Sequence, residues 1–327
     1  MNPPLVLAPM SGVTCSAFRR LIKRLNRGSI GMVVTEFLSV EGMTRDSRRT
    51  LEMMKFLEEE RPVSVQIFGK DPARMSEAAL MIQDAGADVV DVNCGCPAPK
   101  VVKKGGGCEL MRQPLLLAQI LREIKRRVKI PLTMKMRAGW DNSSLNALEI
   151  ALMAEQEGVE ALTVHGRTRT QMYRGDADWE IVERIAQSVS IPVCGSGDVC
   201  DAPSAAARLA GSVAGIYIGR AALSNPFVFR EAAGEEPWNV RNRPLLAVNV
   251  LKEYIELLRE DFPENAVLGR VKNLACRMAP RRWWWKTDLL RAGSLCDVMG
   301  VFERVAQEKQ DAEDACGPAV AANGFKL

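Results

Sequence analysis

Eight short runs rich in β-branched and other apolar residues recur between residues 5 and 219. They are 5–8 (LVLA), 32–37 (MVVTEF), 62–68 (PVSVQIF), 88–93 (DVVDVN), 131–137 (PLTMKMR), 160–165 (EALTVH), 191–195 (IPVCG) and 214–219 (AGIYIG). Amphipathic stretches separate them at 16–26, 46–59, 72–85, 114–127, 144–157, 178–188 and 202–210. Strands that alternate with helices run parallel, because a crossover of helix length brings the chain back to start the next strand in the same direction. Helix punctuation agrees. Asp71-Pro72 and Gln113-Pro114 put proline at a first helical position, where no hydrogen bond is lost. Gly86, Gly158 and Gly211 stand where helices are expected to end. Eight such repeats predict an α/β chain closed into a (β/α)8 TIM barrel. The rival, an open doubly wound sheet, lacks its fingerprint, since LAPMSGVT after the first run contains no GxGxxG.

Past residue 235 the strand runs stop. Residues 244–260, 266–278 and 286–309 read as helices. The expected organisation is a barrel over 1–235, a C-terminal all-α helical domain over 244–310 and a frayed, flexible tail over 311–327. The 327 residues, 47% of them apolar, supply a sizeable core. No apolar run reaches the length of a membrane span, and MNPPLVLAPM has no basic segment leading into an apolar one. A cytoplasmic monomer with no membrane partner is expected. Nine cysteines, an odd number without a CxxC pair, fit reduced thiols better than a disulfide framework. With His165 the only histidine, no metal site is expected. The net charge of +4 says little by itself, but residues 270–291 hold seven basic residues against one acid, a net +6.

Barrel chemistry sits at the carboxyl ends of the strands. Those ends carry Pro9-Met10, Gln66, Asn93, Lys135 with Arg137, His165-Gly166-Arg167, Gly195-Ser196-Gly197-Asp198 and Gly219-Arg220. By strand alternation, Lys135 shares the inward face with Thr133 and Arg137, Gln66 with Ser64, and Asn93 with Asp91. A buried lysine needs a partner. Asp91 would serve as a structural ion pair, but convergence with Gln66, Asn93 and His165 favours a polar ligand. GSGD and GRA, each before a helix, suit a phosphate, with Arg220 adding charge. Cys94, Cys194, Cys200, Cys276 and Cys296 read as small apolar structural residues. Cys96 differs, because it opens a loop that runs on to Lys103-Lys104-Gly105-Gly106-Gly107. Its thiol has the chemistry of a proton donor or of a nucleophile, and the residues alone leave both open.

LAPMSGVT (7–14), QIFG (66–69), DVNCGCPAPKVVKKGGG (91–107), MKMR (134–137), VHGRTR (164–169) and IGRA (218–221) resemble the tRNA-dihydrouridine synthases, in order and spacing across nearly the whole barrel. The resemblance implies an FMN-dependent barrel with a C-terminal helical domain that grips tRNA and NADPH as electron donor. It implies hydride delivery to C6 of a flipped uracil and a proton to C5 from a loop cysteine, the position of Cys96. Pro9, Met10 and Ser11 fall on the backbone shelf beside the flavin. Gln66 and Lys135 fall on its polar contacts, Asn93 and His165 on the pocket lining, and Ser196, Gly197, Asp198, Gly219 and Arg220 on the ribityl and phosphate contacts. Arg137 and Arg167 are expected to meet the substrate.

Three departures stand out. Cys15 and Ala17 replace the family's usual Asp and Pro, which predicts a poorly defined start for the first helix. Ser196 replaces the usual Asn, shortening or removing one flavin-side contact. The short N-terminal hairpin that often plugs the barrel bottom is not seen ahead of the first strand, which predicts exposed apolar side chains there. In RMAPRRWWWK (277–286), Arg281, Arg282 and Lys286 are candidate RNA contacts, and at least one of Trp283–Trp285 is expected on the surface. Two other functions compete: a flavin barrel acting on a free pyrimidine or dihydroorotate-like molecule, and a non-catalytic RNA-binding protein. The +6 stretch argues against the first. The intact Cys96, Lys135 and Arg220 argue against the second.

Overall fold

The computed structural model describes residues 2–238, 243–279 and 285–316. They cluster into two compact units. One holds the residues up to Ala222 together with Val228–Glu236, and the other holds Leu223–Phe227 and the residues from Pro237 on.

The first unit is a barrel. Its strands are β1 (Leu5–Leu7), β2 (Met32–Val34), β3 (Leu38–Ser39), β4 (Val63–Phe68), β5 (Val89–Cys94), β6 (Leu132–Gly139), β7 (Ala161–Thr168), β8 (Val193–Ser196) and β9 (Gly215–Ile218). Every pairing is parallel. The order β2-β1-β9-β8-β7-β6-β5-β4 closes on itself through β2–β4. The strand expected over 32–37 divides. Thr35 turns its hydroxyl into the ladder, accepting the Gln66 N–H at 3.2 Å, and the backbone then leaves. It returns as β3 against the far end of β4.

The two faces of the sheet differ as alternation requires. Val65, Ile67, Val90, Val92, Met134, Met136, Leu162 and Val164 are buried apolar residues. The intervening positions are polar on β4 to β7: Ser64, Gln66, Asp91, Asn93, Thr133, Lys135, Thr163 and His165. On β1, β2, β8 and β9, Val6, Ala8, Val34, Cys194 and Tyr217 form an apolar cluster instead. The barrel interior is therefore greasy on one side and hydrogen-bonding on the other.

Helices follow the strands as expected at Pro72–Asp84, Pro114–Arg127, Ala147–Gln156, Trp179–Ser188 and Ala202–Leu209. The helix expected over 46–59 shrinks to Arg48–Met54, and a 3-10 turn follows at Glu58–Glu60. That turn serves the first helix, Ser16–Leu25, whose start is well defined despite Cys15 and Ala17. Ser16 Oγ donates to Glu60 Oε1 at 2.6 Å and Arg19 Nε to Glu60 Oε2 at 2.5 Å, so the acid that fixes the first turn comes from a distant segment.

The second unit is helical: Pro244–Asp261, Glu264–Met278, Lys286–Arg291 and Leu295–Cys316. The single stretch expected over 286–309 breaks at Ala292-Gly293-Ser294. There Asp297 accepts the N–H groups of Gly293 (2.8 Å) and Ser294 (2.9 Å), while Ser294 Oγ takes the Asp297 N–H, so a new helix is capped. The last helix runs on to Cys316, into the stretch expected to be frayed. Trp285 is buried edge-on against Phe302, with centroids 5.1 Å apart. Lys272, part of the basic stretch, bonds the Leu290 and Ala292 carbonyls at 2.9 and 2.7 Å and closes a helix end instead of facing a partner. Lys286 is half-buried at the start of its helix. Arg281, Arg282, Trp283 and Trp284 lie outside the described residues.

Candidate active site

Register builds the site row by row. Gln66, Asp91 and Thr133 lie side by side, and one step further along are Asn93, Lys135 and Thr163. In the lower row the Asp91 carboxylate accepts from Gln66 Nε2 and Thr133 Oγ1, both at 2.6 Å. Burial raises the Asp91 carboxyl above its ordinary value, although these two hydrogen bonds and the Lys135 charge oppose the rise. Gln66 Oε1 in turn accepts from Asn93 Nδ2 at 2.7 Å. Asn93 Oδ1 accepts the N–H groups of Gly95 (3.2 Å) and Cys96 (2.9 Å). One chain of hydrogen bonds thus runs from the barrel interior to the backbone of the candidate acid. Gln66 and Asn93 each use both ends of their amides in this chain.

Lys135 is the exception. Among the described residues its Nζ makes no hydrogen bond or ion pair, and its nearest ring is Tyr217, 6.0 Å from Nζ to centroid. The structural ion pair with Asp91 is not formed. Burial, then the Arg137 charge, lower the amine from 10.5 to about 8, with Asp91 pulling the other way. A charged amine held without a partner among the polar side chains of the barrel interior is the arrangement expected where a ligand completes the site.

The Cys96 loop folds back on itself. Cys108 N–H donates to the Cys96 carbonyl at 3.2 Å. Gly107 sits at φ +60°, where a Cβ would lie 2.5 Å from that same carbonyl oxygen, so only glycine fits. Burial pushes the Cys96 thiol up, outweighing the Ala98 backbone hydrogen bond and the Arg137 charge. It carries its proton at neutral pH. No hydrogen bond joins it to His165, and β6 lies between their strands. Burial, then the charges of Lys135, Arg137, Arg167 and Arg220, hold the imidazole well below its ordinary 6.5 and keep it neutral.

Arg137 and Arg167, expected to meet substrate, are turned inward and each is only 2% exposed. Arg137 donates to Gly95 O (2.9 Å), Thr168 O and Met172 O (both 2.8 Å). It locks the Cys96 loop to the loop after β7. Arg167 pairs with Asp198 at 2.6 Å and donates to Gly175 O. Asp198 sits at φ +55° and also accepts the Ala177 N–H at 2.8 Å. Burial pushes its carboxyl up, but the Arg167 hydrogen bond, the Ala177 N–H and the two arginine charges outweigh this and hold it below its usual value. Gly197, at φ +122°, would press a Cβ to 2.6 Å from Ala177, so the turn after β8 packs closely there and takes only glycine. Arg220, half-exposed, reaches Asp198 at 3.3 Å and lies over the Tyr173 ring at 4.7 Å. Ser196 is buried in register with His165, and Gly219 follows β9 beside Met10. Pro9 and Met10 are half-buried and Ser11 exposed, on a turn whose Gly12 N–H is held by the buried Glu36 carboxylate.

Sequence reasoning missed two aromatic residues. Tyr217 lines the floor beneath Lys135, its hydroxyl hydrogen-bonded to Thr163. The alternation of AGIYIG was the available signal. Tyr173, 54% exposed, stands beside His165, Arg137 and Arg220 on a loop, where no periodicity points to it.

A family model described as "Dihydrouridine synthase (Dus)" matches residues 6–283. The chain is 44% identical over 229 residues to tRNA-dihydrouridine synthase B of Pseudomonas aeruginosa, covering 69% of this chain and 68% of that one. A probable tRNA-dihydrouridine synthase of Rickettsia conorii is 38% identical over 274 residues, 81% of each chain. Among solved structures, a 2-naphthoyl-CoA reductase complexed with 2-naphthoyl-CoA matches with a TM-score of 0.55 at 14% identity. That match spans 70% of this chain but half of the reductase, and it is a likeness of fold alone. With the family model matched across the barrel and relatives this similar over more than two thirds of their length, the chain belongs to the dihydrouridine synthase family.

Proposed function

We propose that this protein reduces uridine in tRNA to 5,6-dihydrouridine, with FMN as its cofactor and NADPH as electron donor, as a cytoplasmic monomer that needs no metal. The observation that carries the reading is the Lys135 amine, without a hydrogen-bond or ion-pair partner among the described residues, on the strand beside the one that leads into the loop of the protonated Cys96 thiol. The residues present fit FMN. An anionic ring edge would give Lys135 the partner it lacks, and the glycine turn at Gly197 with Arg220 suits a phosphate. Pro9, Met10 and Ser11 would form the shelf beside the ring, with Ser196, Asp198 and Gly219 toward the ribityl chain and His165 lining the pocket. When bound, the flavin supplies the hydride for C6 of the pyrimidine.

The chain's own residues do the rest. Lys135 holds positive charge where negative charge gathers on reduction. Cys96 carries the proton destined for C5 on Sγ, and burial keeps it there until the pyrimidine arrives. Asn93 aims the Cys96 backbone, and Arg137 braces the loop from the far side. Neutral His165 adds no further cation beside Lys135. The uracil must leave its stack to reach this depth. Arg281, Arg282 and Lys286 are the proposed tRNA contacts of the helical unit.

The test is incubation of purified enzyme with NADPH and tRNA that lacks dihydrouridine, scoring the base by mass. Wild type is expected to form it. Cys96→Ala is expected to bind FMN normally and to lose roughly 10²–10⁴-fold in rate, the usual contribution of a general acid. Normal turnover by Cys96→Ala removes that residue from its assigned role.

A further inference from the structure

Outside the pocket, one cluster on the barrel unit is left without a role by the chemistry above. Trp140 follows β6 directly, and Arg112 and Arg169 both lie over its indole, at 4.6 and 4.7 Å from guanidinium carbon to ring centroid. Three separate connections at the carboxyl ends of the strands supply these residues. Arg112 ends the 3-10 turn Gly107–Arg112 that closes the Cys96 loop. Trp140 and Arg169 extend the β6–β7 ladder past the strand ends, with Arg169 N–H on Gly139 O and Thr170 N–H on Trp140 O, both at 3.0 Å. Asn146 Nδ2 donates to Met111 O at 2.7 Å and fixes the turn beside Arg112.

Arginines stacked on tryptophan often serve packing alone, but here the hydrogen-bonding account does not close. A guanidinium has five N–H donors. Among the described residues the Arg169 side chain makes no hydrogen bond or ion pair, and its Nε is buried without an acceptor. Arg112 has only Glu109, at 3.4 Å from either carboxylate oxygen. The next acid, Asp141, is taken up by Ser143 and Ser144 of its own turn. Two cations are thus gathered on one ring, Arg112 paired with Glu109 at 3.4 Å and the Arg169 side chain with no hydrogen bond or ion pair among the described residues. Stacking holds the planes rigid and leaves their edges to a ligand, an arrangement that suits the planar recognition of phosphate. The Arg169 charge is felt at the Cys108 thiol, and Cys108 is bonded to the Cys96 carbonyl, so the cluster borders the loop that carries the acid.

We infer that Arg112, Trp140 and Arg169 form a docking ladder for the RNA backbone next to the nucleotide that enters the barrel. Its ligand is the phosphate of a neighbouring nucleotide, held by guanidinium edges whose planes are fixed in advance by the indole. This rests on the proposed reduction of uridine in RNA and adds a barrel-borne contact to those proposed for the helical unit.

The experiment measures binding, not turnover. Undermodified tRNA is titrated against wild type, Arg169→Gln, the double variant Arg112→Gln/Arg169→Gln, and Trp140→Phe, over a range of potassium chloride concentrations. FMN content and the thermal midpoint are recorded for each. Each lost arginine is expected to weaken binding about tenfold, the usual scale of a charge-assisted hydrogen bond. Each should also flatten the plot of log affinity against log salt by about 0.7–0.9. Trp140→Phe keeps a stacking face and should stay close to wild type. If the double variant keeps wild-type affinity and salt slope, the ladder binds no phosphate. If it loses FMN and thermal midpoint together with tRNA, the stack is structural and the inference also fails. Dihydrouridine formation is scored separately. A wild type that binds tRNA but forms none overturns the proposed reaction, whereas equal binding by wild type and the double variant overturns the ladder alone.

Discussion

Two cations in the barrel unit invite comparison: Arg19, fully buried behind the first helix, and Lys135, half-buried on β6. Arg19 is 1% exposed and its partner Glu60 is fully buried. Nε pairs with Glu60 at 2.5 Å, and the remaining nitrogens reach Thr14 O at 2.7 Å and Lys55 O at 3.0 Å. Glu60 is matched in return by Ser16 Oγ and the Leu57 N–H. Lys135, half-buried, has no such partners among the described residues, and burial and then the Arg137 charge lower its amine to about 8. Both side chains lose water on folding. Each nitrogen of the one regains a partner within the protein, and it serves the framework. The other is left in deficit, which the proposed ligand would remove. Charge does not tell these roles apart, but satisfaction of the donors does.

The contrast can be broken most forcefully at Glu60. Glu60→Ala strands a fully buried guanidinium, and urea denaturation is expected to show a loss of about 3–5 kcal/mol. A loss under 1 kcal/mol would mean that Arg19 finds water and that the two sites are less different than their geometry says. At Lys135 the sign reverses. Lys135→Met removes an uncompensated charge, so the flavin-free barrel should gain about 1–3 kcal/mol while FMN affinity falls. A variant weakened in both respects would make Lys135 a framework residue after all.

The smallest effect is the pH dependence of that gain. The folded-state amine titrates near 8 and the unfolded one near 10.5. Between these values the unfolded chain binds more protons, so the contribution of Lys135 to stability rises with pH. It is fully present above about 10.5 and is lost as pH falls through about 8. The stability gap between Lys135→Met and wild type should therefore narrow as pH rises over that window. Thermal unfolding of the flavin-free proteins from pH 7 to 10 measures it, and a constant gap would show that the amine is not destabilised by burial.

Much of the site was legible because a parallel strand has a period of two. Given Lys135 inward, Thr133 and Arg137 must follow, and the neighbouring register carries Asp91 and Asn93 into the same layer. The period says nothing of what meets each side chain at the strand end. Arg137 does point inward, but the carbonyls of Gly95, Thr168 and Met172 consume it. Arg167 likewise pairs with Asp198. The ladder shifts register between Arg137 and Gly139, and from there the strand pattern carries no information. Tyr173 and the Arg112–Trp140–Arg169 stack lie beyond that point, assembled by loops that no repeat describes.

The sequence by itself determined the eight parallel strands that close the barrel, though not the division of the second, and the polar inward face of four of them, and it singled out the Cys96 thiol and the Lys135 amine as candidates. All of these follow from local periodicity and from residues that only a site would need. Tertiary structure alone decided which of the polar groups are spent. Gln66 and Asn93 became a relay to the Cys96 backbone, Arg137 and Arg167 became braces, and Lys135 was left open. The reason is physical. A hydrogen bond is closed only when two atoms from distant segments come within about 3 Å. That distance is set by the closure of the barrel and the path of its loops, which no single stretch of residues encodes.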